Sequence, residues 1–146
     1  MTVELFGNGD ERVREALKVR FRVFVDEQNV PREIELDEHD EPADRTAVHA
    51  LVRDGERAVA AGRFYERNRS TVQIGRMAVV DAARGHGIGR LMLDALLVEA
   101  AKRGYVRARL SAQTHALEFY RKAGFAEFGE DYDDAGIPHR DMERPL

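Results

Sequence analysis

The sequence predicts an α/β fold in which a mixed, mainly antiparallel central sheet carries helices on both faces. Three consecutive β-favouring runs, at residues 47–53, 58–65 and 71–80, predict an antiparallel meander. In the second half, strands alternate with helices, which indicates a mixed sheet covered on both sides. The chain has 146 residues, a length that fits one compact domain, so we expect a single domain over residues 1–146.

The first half begins with a short strand over residues 2–6. Asp10 then has the side chain of a helix N-cap, and apolar residues follow at helical spacing: Val13, Leu17, Phe21 and Phe24. Residues 26–45 break this periodicity with nine carboxylates and two prolines, and predict a solvated loop or a short irregular helix. Asp54-Gly55 signals a hairpin within a turn slightly longer than two residues.

The second half predicts two helices and three strands. The helices cover residues 87–102 and 116–123, and the glycines that end them are Gly104 and Gly124. The strands cover residues 106–112, 125–130 and 140–144, and the last two flank an Asp-Asp-Ala-Gly turn. The predicted order of elements is β-α-β-β-β-α-β-α-β-β.

Composition argues against several classes of protein. The formal net charge of −4 disfavours a general nucleic-acid or membrane-surface binder, which would carry a basic excess. The absence of cysteine removes thiol nucleophiles, disulfides and Cys-based zinc sites. The five histidines lack metal-ligand spacing, so no metal site is expected. No signal peptide follows Met1, and no apolar run approaches the ~20 residues of a membrane span. We therefore expect a cytoplasmic protein that binds neither nucleic acid nor membrane.

The clearest functional signal is the segment Arg-Gly-His-Gly-Ile-Gly-Arg, which joins a predicted strand to a predicted helix. Backbone N–H groups at a helix N-terminus lack intrahelical partners and lie at the positive end of the helix dipole. Glycines let a bulky anion approach the backbone closely, and two flanking arginines add positive charge. The segment therefore predicts a pyrophosphate site made by Arg84, Gly85, His86, Gly87, Ile88, Gly89 and Arg90, with His86 contributing mainly its backbone N–H.

Other glycine loops fit this segment less well. The dinucleotide fingerprint G-x-G-x-x-G needs a glycine where Arg90 stands. The Walker loop needs a Gly-Lys pair, which occurs nowhere in the chain. A strand-to-helix turn without a ligand is the remaining alternative, and three alternating glycines flanked by two arginines disfavour it.

The same segment resembles the Q/R-x-x-G-x-G/A motif of the Gcn5-related N-acetyltransferase (GNAT) superfamily, with Arg84, Gly87 and Gly89 in the fixed positions. Residues 74–79 look like the fourth strand of that family, and residues 113–125 look like its second motif, N-x-x-A-x-x-F-Y-x-K-x-G-F. Gln113 stands where many members have asparagine. Three segments resemble the ElaA/YjcF-like branch of the family: residues 24–31, the spacing Glu35-x-Asp37-x-x-Asp40, and residues 136–139.

The resemblance implies an acetyltransferase that uses acetyl-CoA as cosubstrate and transfers the acetyl group directly to an amine. The fourth and fifth strands would diverge, and pantetheine would bind between them to backbone groups of Met77, Ala78 and Val79. Gln113 stands where a pantetheine contact is expected. The Val79 N–H would be the oxyanion donor. Tyr120 occupies the position of the general acid that protonates the departing thiolate, while its neighbour Phe119 is expected to be the packed aromatic residue and to face elsewhere.

The amine acceptor is less well specified by the sequence. An amine must be deprotonated before it attacks, and the candidate bases or substrate contacts are Glu27, Glu35, Asp37 and His139. Arg63 and Arg76 lie on predicted central strands, where an unpaired charge would be costly. They are expected either to pair with these acids or to contact an anionic group of the substrate.

The primary hypothesis is therefore an acetyl-CoA-dependent enzyme that acts on a small-molecule amine. Acetylation of a protein or peptide amine on the same fold is one alternative. A non-catalytic acyl-CoA-binding module is another, which the complete loop and the presence of Tyr120 disfavour. The oligomeric state is left open, with a homodimer among the alternatives.

Overall fold

In a computed structural model that describes every residue from Met1 to Leu146, the chain forms one seven-stranded sheet. The strands follow the spatial order β1-β2-β3-β4-β5-β7-β6, and only the β4–β5 pair is parallel. The strands are β1 (Thr2–Gly7), β2 (Val48–Asp54), β3 (Arg57–Asn68), β4 (Thr71–Val79), β5 (Arg107–Gln113), β6 (Ala126–Asp134) and β7 (Ile137–Pro145). The predicted α/β class and the mainly antiparallel sheet are confirmed.

Four α-helices accompany the sheet: α1 (Val13–Arg20), α2 (Arg32–Glu35), α3 (Ile88–Lys102) and α4 (Leu117–Lys122). Successive side chains of a strand point to opposite faces, yet five successive residues of β2 and six of β3 are buried. Both faces of the central strands are therefore covered, and α1 and α3 both pack against β2, β3 and β4. The prediction of helices on both faces is confirmed.

The first helical segment differs from the prediction at both ends. Arg12, not Asp10, is the N-cap residue of α1. The Asp10 carboxylate instead accepts hydrogen bonds from the backbone N–H and Nε of Arg12, at 2.9 and 3.0 Å, in the turn before the helix. At its C-terminal end α1 continues as a π-helix over Phe21–Glu27. The acid-rich segment that follows holds α2 and a 3₁₀ turn at Glu38–Asp40, in agreement with the expected irregular structure.

The β-hairpin turns differ from the predicted strand boundaries, whereas the glycines that end the helices agree with the prediction. The β2–β3 turn contains two residues, Gly55 and Glu56, and is shorter than predicted. The β6–β7 turn also contains two residues, Ala135 and Gly136, with φ angles of 54° and 77°. Two successive positive φ angles match the right-handed twist of a hairpin, so β6 and β7 extend further toward their turn than predicted. Gly104 and Gly124 end α3 and α4 with φ angles of 93° and 91°, as predicted.

The parallel pair at the centre of the sheet is short. β4 and β5 pair only from Thr71↔Arg107 to Ile74↔Leu110, although β4 continues to Val79 and β5 to Gln113. The two strands therefore diverge at their carboxyl ends, and α3 begins beside this gap. None of the helices combines the length and the apolar character needed to cross a membrane.

Candidate active site

A cavity of about 1020 Å³ opens where β4 and β5 diverge. It is lined by the carboxyl ends of both strands, the loop before α3, α4, the start of β7 and the segment from the π-helix through α2. The divergence agrees with what the family resemblance implies. Because strand edges that lack a neighbour expose backbone groups, this gap can pair with an extended ligand.

A β-bulge shapes the β4 side of the cavity. Ala61 pairs with Ala78 and Arg63 with Gly75, so Arg76 and Met77 together oppose the single residue Gly62. Arg76 adopts φ = 53°. A Cβ atom at Gly62 would lie 2.6 Å from Met77 Sδ, so a larger residue at this position would displace the Met77 side chain.

The backbone of Val79 faces the gap. Val80 donates its N–H to Val59 O on β3 at 2.9 Å, so the carbonyl of Val79 points away from β3, where it accepts a 3.0 Å hydrogen bond from Arg84 Nε. In an extended strand, the N–H and C=O of one residue point to the same edge. The Val79 N–H therefore points into the space between β4 and β5. Met77 and Val79 line the cavity, whereas Ala78 is buried and does not.

The loop before α3 presents a run of backbone donors. The N–H groups of residues 85–90 donate to no acceptor within the protein, and α3 begins without a side-chain cap. Gly85 and Gly87 adopt φ angles of 83° and 76°, and Gly87 is the N-cap of the 15-residue helix. Six successive amides at the positive end of a helix dipole make an anion-binding site. All predicted residues of the loop line the cavity except His86.

The two arginines of the loop are paired within the protein. Arg84 makes a bidentate ion pair with Glu27, at 2.7 and 2.8 Å, and hydrogen bonding to Arg84 lowers the pKa of the Glu27 carboxyl. Arg90 pairs with Asp94 one turn along α3, at 2.9 Å. Both pairs are about half-exposed, so an incoming anion can displace them at small cost.

Tyr120 lies on α4 and lines the cavity with 9% of its surface exposed. Burial raises the pKa of its phenol to about 12, and no hydrogen bond or charge contributes to this shift. The prediction that Phe119 would be the packed aromatic and face elsewhere is wrong. Phe119 is 36% exposed, also lines the cavity and packs edge-to-face on Tyr120 at 5.0 Å between ring centroids, because this helix turns both rings toward the gap.

Gln113 ends β5 and reaches across the cavity. Its side-chain amide exchanges two hydrogen bonds with that of Gln28, at 2.8 and 3.3 Å. Gln28 follows the π-helix, so this pair joins the first helical segment to the fifth strand. Sequence reasoning did not identify Gln28, and a single glutamine in a polar segment offers no signal that would have done so.

The acid-rich segment packs onto the sheet through a buried ion-pair network of three arginines and three carboxylates. Arg20 is fully buried and donates to Glu35 Oε2 at 2.9 Å and to Asp40 Oδ1 at 2.6 Å. Arg63 binds Asp37 Oδ2 at 2.6 Å and Asp40 Oδ1 at 2.7 Å, and Arg76 binds Glu35 Oε2 at 3.3 Å and Asp37 Oδ2 at 3.2 Å. Equal numbers of both charges balance the network, as burial requires.

The network decides between the two sequence-based expectations for Arg63 and Arg76: they pair with the acids. Both oxygens of Asp37 accept hydrogen bonds from Arg63, and these bonds lower the pKa of Asp37 although burial alone would raise it. The guanidinium of Arg20 holds the pKa of Asp40 well below its usual range in the same way. Arg20 was not predicted, although an arginine on the apolar face of a helix, between Leu17 and Phe24, is itself a signal of a buried partner.

Glu35 differs from the other carboxylates of the network. Its side chain is 3% exposed and lines the cavity. Arg20 and Arg76 contact Oε2. Oε1 accepts no hydrogen bond and is not fully buried, so it faces the cavity. Burial raises the pKa of Glu35 despite the two neighbouring guanidinium groups.

His139 lies on β7 next to Gln113 and also lines the cavity. Its Nδ1 is 2.7 Å from the carbonyl of Ile137. A carbonyl only accepts, so Nδ1 carries the proton of the neutral ring and Nε2 does not. The ring stacks at 6.1 Å on Tyr132, whose hydroxyl bonds Ser111 and Asp141.

A second anchor holds the acid-rich segment from the β1 side. The Asn8 amide donates to the carbonyls of His39, Glu41 and Asp44 at 2.8–3.0 Å. Its oxygen bonds Nε2 of the buried His49 at 2.6 Å, which leaves Nδ1 of that ring without a partner. Burial, together with the charge of Arg20, lowers the pKa of His49 to about 4.

Comparison with known proteins agrees with this geometry. The acetyltransferase (GNAT) domain family matches residues 10–146. The N-acetyltransferase YjcF of Bacillus subtilis, described as uncharacterised, is 37% identical over 139 residues, covering 94% of this chain and 96% of its own. The crystal structure of Escherichia coli ElaA superposes with a TM-score of 0.87 at 28% identity, over 99% of each chain.

A Pseudomonas aeruginosa protein described as an acyl-CoA N-acyltransferase superposes with a TM-score of 0.86 at 29% identity, over 99% of each chain. The resemblance to the ElaA/YjcF-like branch is confirmed. The family match covers the diverging strands, the amide-rich loop and the cavity between them. The chain belongs to the GNAT family of N-acetyltransferases, enzymes whose acyl donor is a coenzyme A thioester.

Proposed function

We propose that this protein transfers the acetyl group of acetyl-CoA directly to the primary amine of a small molecule. The observation that carries the proposal is the run of six backbone N–H groups at the start of α3, free of protein acceptors and adjacent to the gap between β4 and β5. A pyrophosphate needs several converging donors, and an amide-containing arm needs an open strand edge. The two features meet in one cavity.

The residues that would hold the donor follow from this layout. The amides of residues 85–90 would bind the pyrophosphate, with added charge from Arg84 and Arg90. Backbone groups of Met77 and Val79 would pair with pantetheine, whereas the backbone groups of Ala78, which lies between them, face its β3 partner Ala61. Gln113 would border the arm, although its amide is engaged with Gln28. The description of the Pseudomonas aeruginosa relative as an acyl-CoA N-acyltransferase supports an acyl-CoA donor.

Two groups are suited to the transfer step. When bound, the thioester supplies an activated acetyl carbonyl. The Val79 N–H points into the gap and would stabilise negative charge on the carbonyl oxygen. Tyr120 would protonate the departing thiolate, because a phenol whose pKa is about 12 keeps its proton at any physiological pH. The absence of cysteine supports direct transfer over a route through a cysteine thioester.

The cavity supports a small acceptor. Its volume of about 1020 Å³ must hold both the pantetheine arm and the acceptor. The segment from the π-helix through α2 and the start of β7 line the acceptor side of the cavity. Glu35 and His139 provide basic atoms on that side, which suits an amine that arrives protonated.

The proposal is tested by titrating acetyl-CoA and CoA into the protein by calorimetry and then assaying a panel of amines, polyamines, amino acids, aminoglycosides and lysine peptides for CoA release. We expect stoichiometric binding of both cofactor forms and turnover with a small amine. The absence of any binding heat at micromolar protein would contradict the proposal at its first step. Turnover confined to lysine peptides would contradict the choice of acceptor and favour acetylation of proteins.

A further inference from the structure

We infer that the Oε1 atom of Glu35 is the base that removes a proton from the acceptor amine. The inference rests on the proposed acetyl transfer and goes beyond it, since it assigns the acceptor side of the cavity. An alkylammonium group cannot attack a thioester until it loses a proton, and at neutral pH nearly all of such an amine is protonated. The cavity must therefore offer a proton acceptor within reach of the amine.

The ion pairs distinguish the candidate carboxylates that line the cavity. Both oxygens of Glu27 accept from Arg84, and both oxygens of Asp37 accept from Arg63. These pairs lower the pKa of both carboxyls and occupy the lone pairs that would take the proton. In Glu35 the two guanidinium groups make their shortest contacts with Oε2, and Oε1, which accepts no hydrogen bond, is left facing the cavity.

The charged groups around Glu35 suit the role of a general base. Arg20 from α1, Arg63 from β3 and Arg76 from β4 face it, with Asp37 and Asp40 from its own segment. Burial outweighs these guanidinium groups and raises the pKa of Glu35. A base with a raised pKa takes a proton from an ammonium group more readily than an ordinary carboxylate does. Because the ion pairs fix Oε2, the carboxylate keeps Oε1 in one orientation. Binding of the amine therefore requires little further ordering of the Glu35 side chain.

His139 is the competing base, because its Nε2 also faces the cavity. Its ring is fixed by the Ile137 carbonyl and by stacking on Tyr132, so it is equally ordered. Glu35 is favoured because an anion attracts the incoming ammonium group and then neutralises it, whereas a neutral imidazole offers no attraction. The inference therefore predicts that removing the Glu35 charge has the larger effect on transfer.

Glu35 takes one proton from the ammonium group, and the free amine attacks the acetyl carbonyl to form the C–N bond. The C–S bond breaks, and the sulfur leaves with its electron pair and takes the phenol proton of Tyr120. The second proton of the amine returns to Tyr120 through solvent, and Glu35 releases its own proton to water. One ammonium ion and one thioester thus give one amide, one thiol and one proton.

The test compares Glu35→Gln with Asp37→Asn, which neutralises a carboxylate of the same network that has no free oxygen. Two probe amines of similar size, ethylamine and 2,2,2-trifluoroethylamine, separate the roles, because only the second is largely neutral at the assay pH. For Glu35→Gln we expect kcat/KM with ethylamine to fall about 10²–10³-fold, and to fall less than about tenfold with trifluoroethylamine. Asp37→Asn should change both amines by the same factor.

Equal losses with the two amines in Glu35→Gln would overturn the inference, and so would a selective loss in His139→Gln instead. If a variant does not fold, or neither amine turns over, the carboxyl ¹³C signal of Glu35 in the wild-type protein with CoA provides the second measurement. It should shift when ethylamine is added, and a signal that does not move would equally overturn the assignment. Failure of acetyl-CoA to bind the wild-type protein would instead contradict the proposed function itself.

Discussion

The two walls of the cavity differ in the chemical groups that they present to a ligand. The wall that faces the proposed donor consists of backbone groups, namely the free amides of residues 85–90 and the bulged edge of β4. The opposite wall presents the charged side chains of Glu35, Asp37, Arg63 and Arg76 among apolar residues, and the buried Arg20 and Asp40 pair with them behind the cavity surface. A backbone site depends on conformation, whereas a side-chain site depends on charge balance. The first should therefore be damaged by altering a glycine, and the second by removing one charge.

The largest expected effect is the loss of Arg20. In Arg20→Leu, Glu35 and Asp40 keep their charges in a buried site that has lost one of its three guanidinium groups, which costs about 3–5 kcal/mol of unfolding free energy. Urea denaturation measures this loss. The control is Arg103→Ala, which removes an exposed pair with Glu99 and should cost less than about 1 kcal/mol. Similar losses in both variants would mean that the network does not hold the acceptor wall.

The same wall should also be sensitive to acid through His49. The pKa of His49 is about 4 in the folded protein because of burial and the nearby Arg20, against an ordinary value of 6.5. Because the pKa is lower in the folded state, His49 contributes its full stabilisation at pH values above the unfolded-state pKa. This stability is lost as pH falls from about 6.5 toward 4. The shift corresponds to about 3 kcal/mol.

Urea denaturation at a series of pH values measures this loss. His49→Gln can still donate to Asn8 but does not titrate, so its unfolding free energy should fall less over the same interval. Parallel curves for the two proteins would show that His49 is not the group responsible.

Between the walls, Tyr120→Phe should reduce kcat about 100-fold, because the thiolate then leaves without a positioned proton donor. Calorimetry should give an unchanged affinity for acetyl-CoA, since the phenol hydroxyl contributes no hydrogen bond within the protein and the ring remains. The wild-type pH–rate profile should show no decline from loss of this proton below about pH 11. Unchanged turnover in the variant would remove Tyr120 from the mechanism.

On the donor wall, Gly87→Ala should weaken acetyl-CoA binding about tenfold. Gly87 has φ = 76°, a conformation that costs an alanine roughly 1–2 kcal/mol, and relaxing this strain turns the amides of the loop away from their common direction. The matched control is Gly7→Ala, where φ is ordinary and the new Cβ would lie 3.8 Å from its nearest neighbour. Binding that survives Gly87→Ala unchanged would argue against the amide site.

The smallest expected effect lies where the two walls meet. Glu27→Gln releases Arg84 from an ion pair that is about half-exposed on both sides. Such pairs contribute up to about 1 kcal/mol, so the affinity for acetyl-CoA should rise about two- to fivefold. Calorimetry at two salt concentrations would show the gain shrinking at high salt. A loss of affinity would mean that Glu27 positions Arg84 for the ligand.

The contrast between the walls also explains what could be predicted from the sequence. The donor wall depends on local features: glycines, a helix start and a strand before it all lie within residues 71–102 of the chain. The order of helices and strands was predictable from the sequence because it too depends on local features. The acceptor wall depends on partners distant in sequence, such as Arg20 with Asp40 and Gln28 with Gln113. No spacing rule connects such residues, so the sequence left Glu27, Glu35 and Asp37 as equivalent candidates and could not predict which of their oxygens arginines hold.

The most direct test of the account is a titration of ¹⁵N-labelled protein followed through the amide signals of residues 85–90. CoA should shift these six signals strongly, because each amide acquires a charged acceptor. Pantetheine, which lacks the pyrophosphate, should leave them nearly unchanged while it shifts Met77 and Val79. Loop signals that respond equally to both ligands, or to neither, would contradict the claim that these amides bind a pyrophosphate.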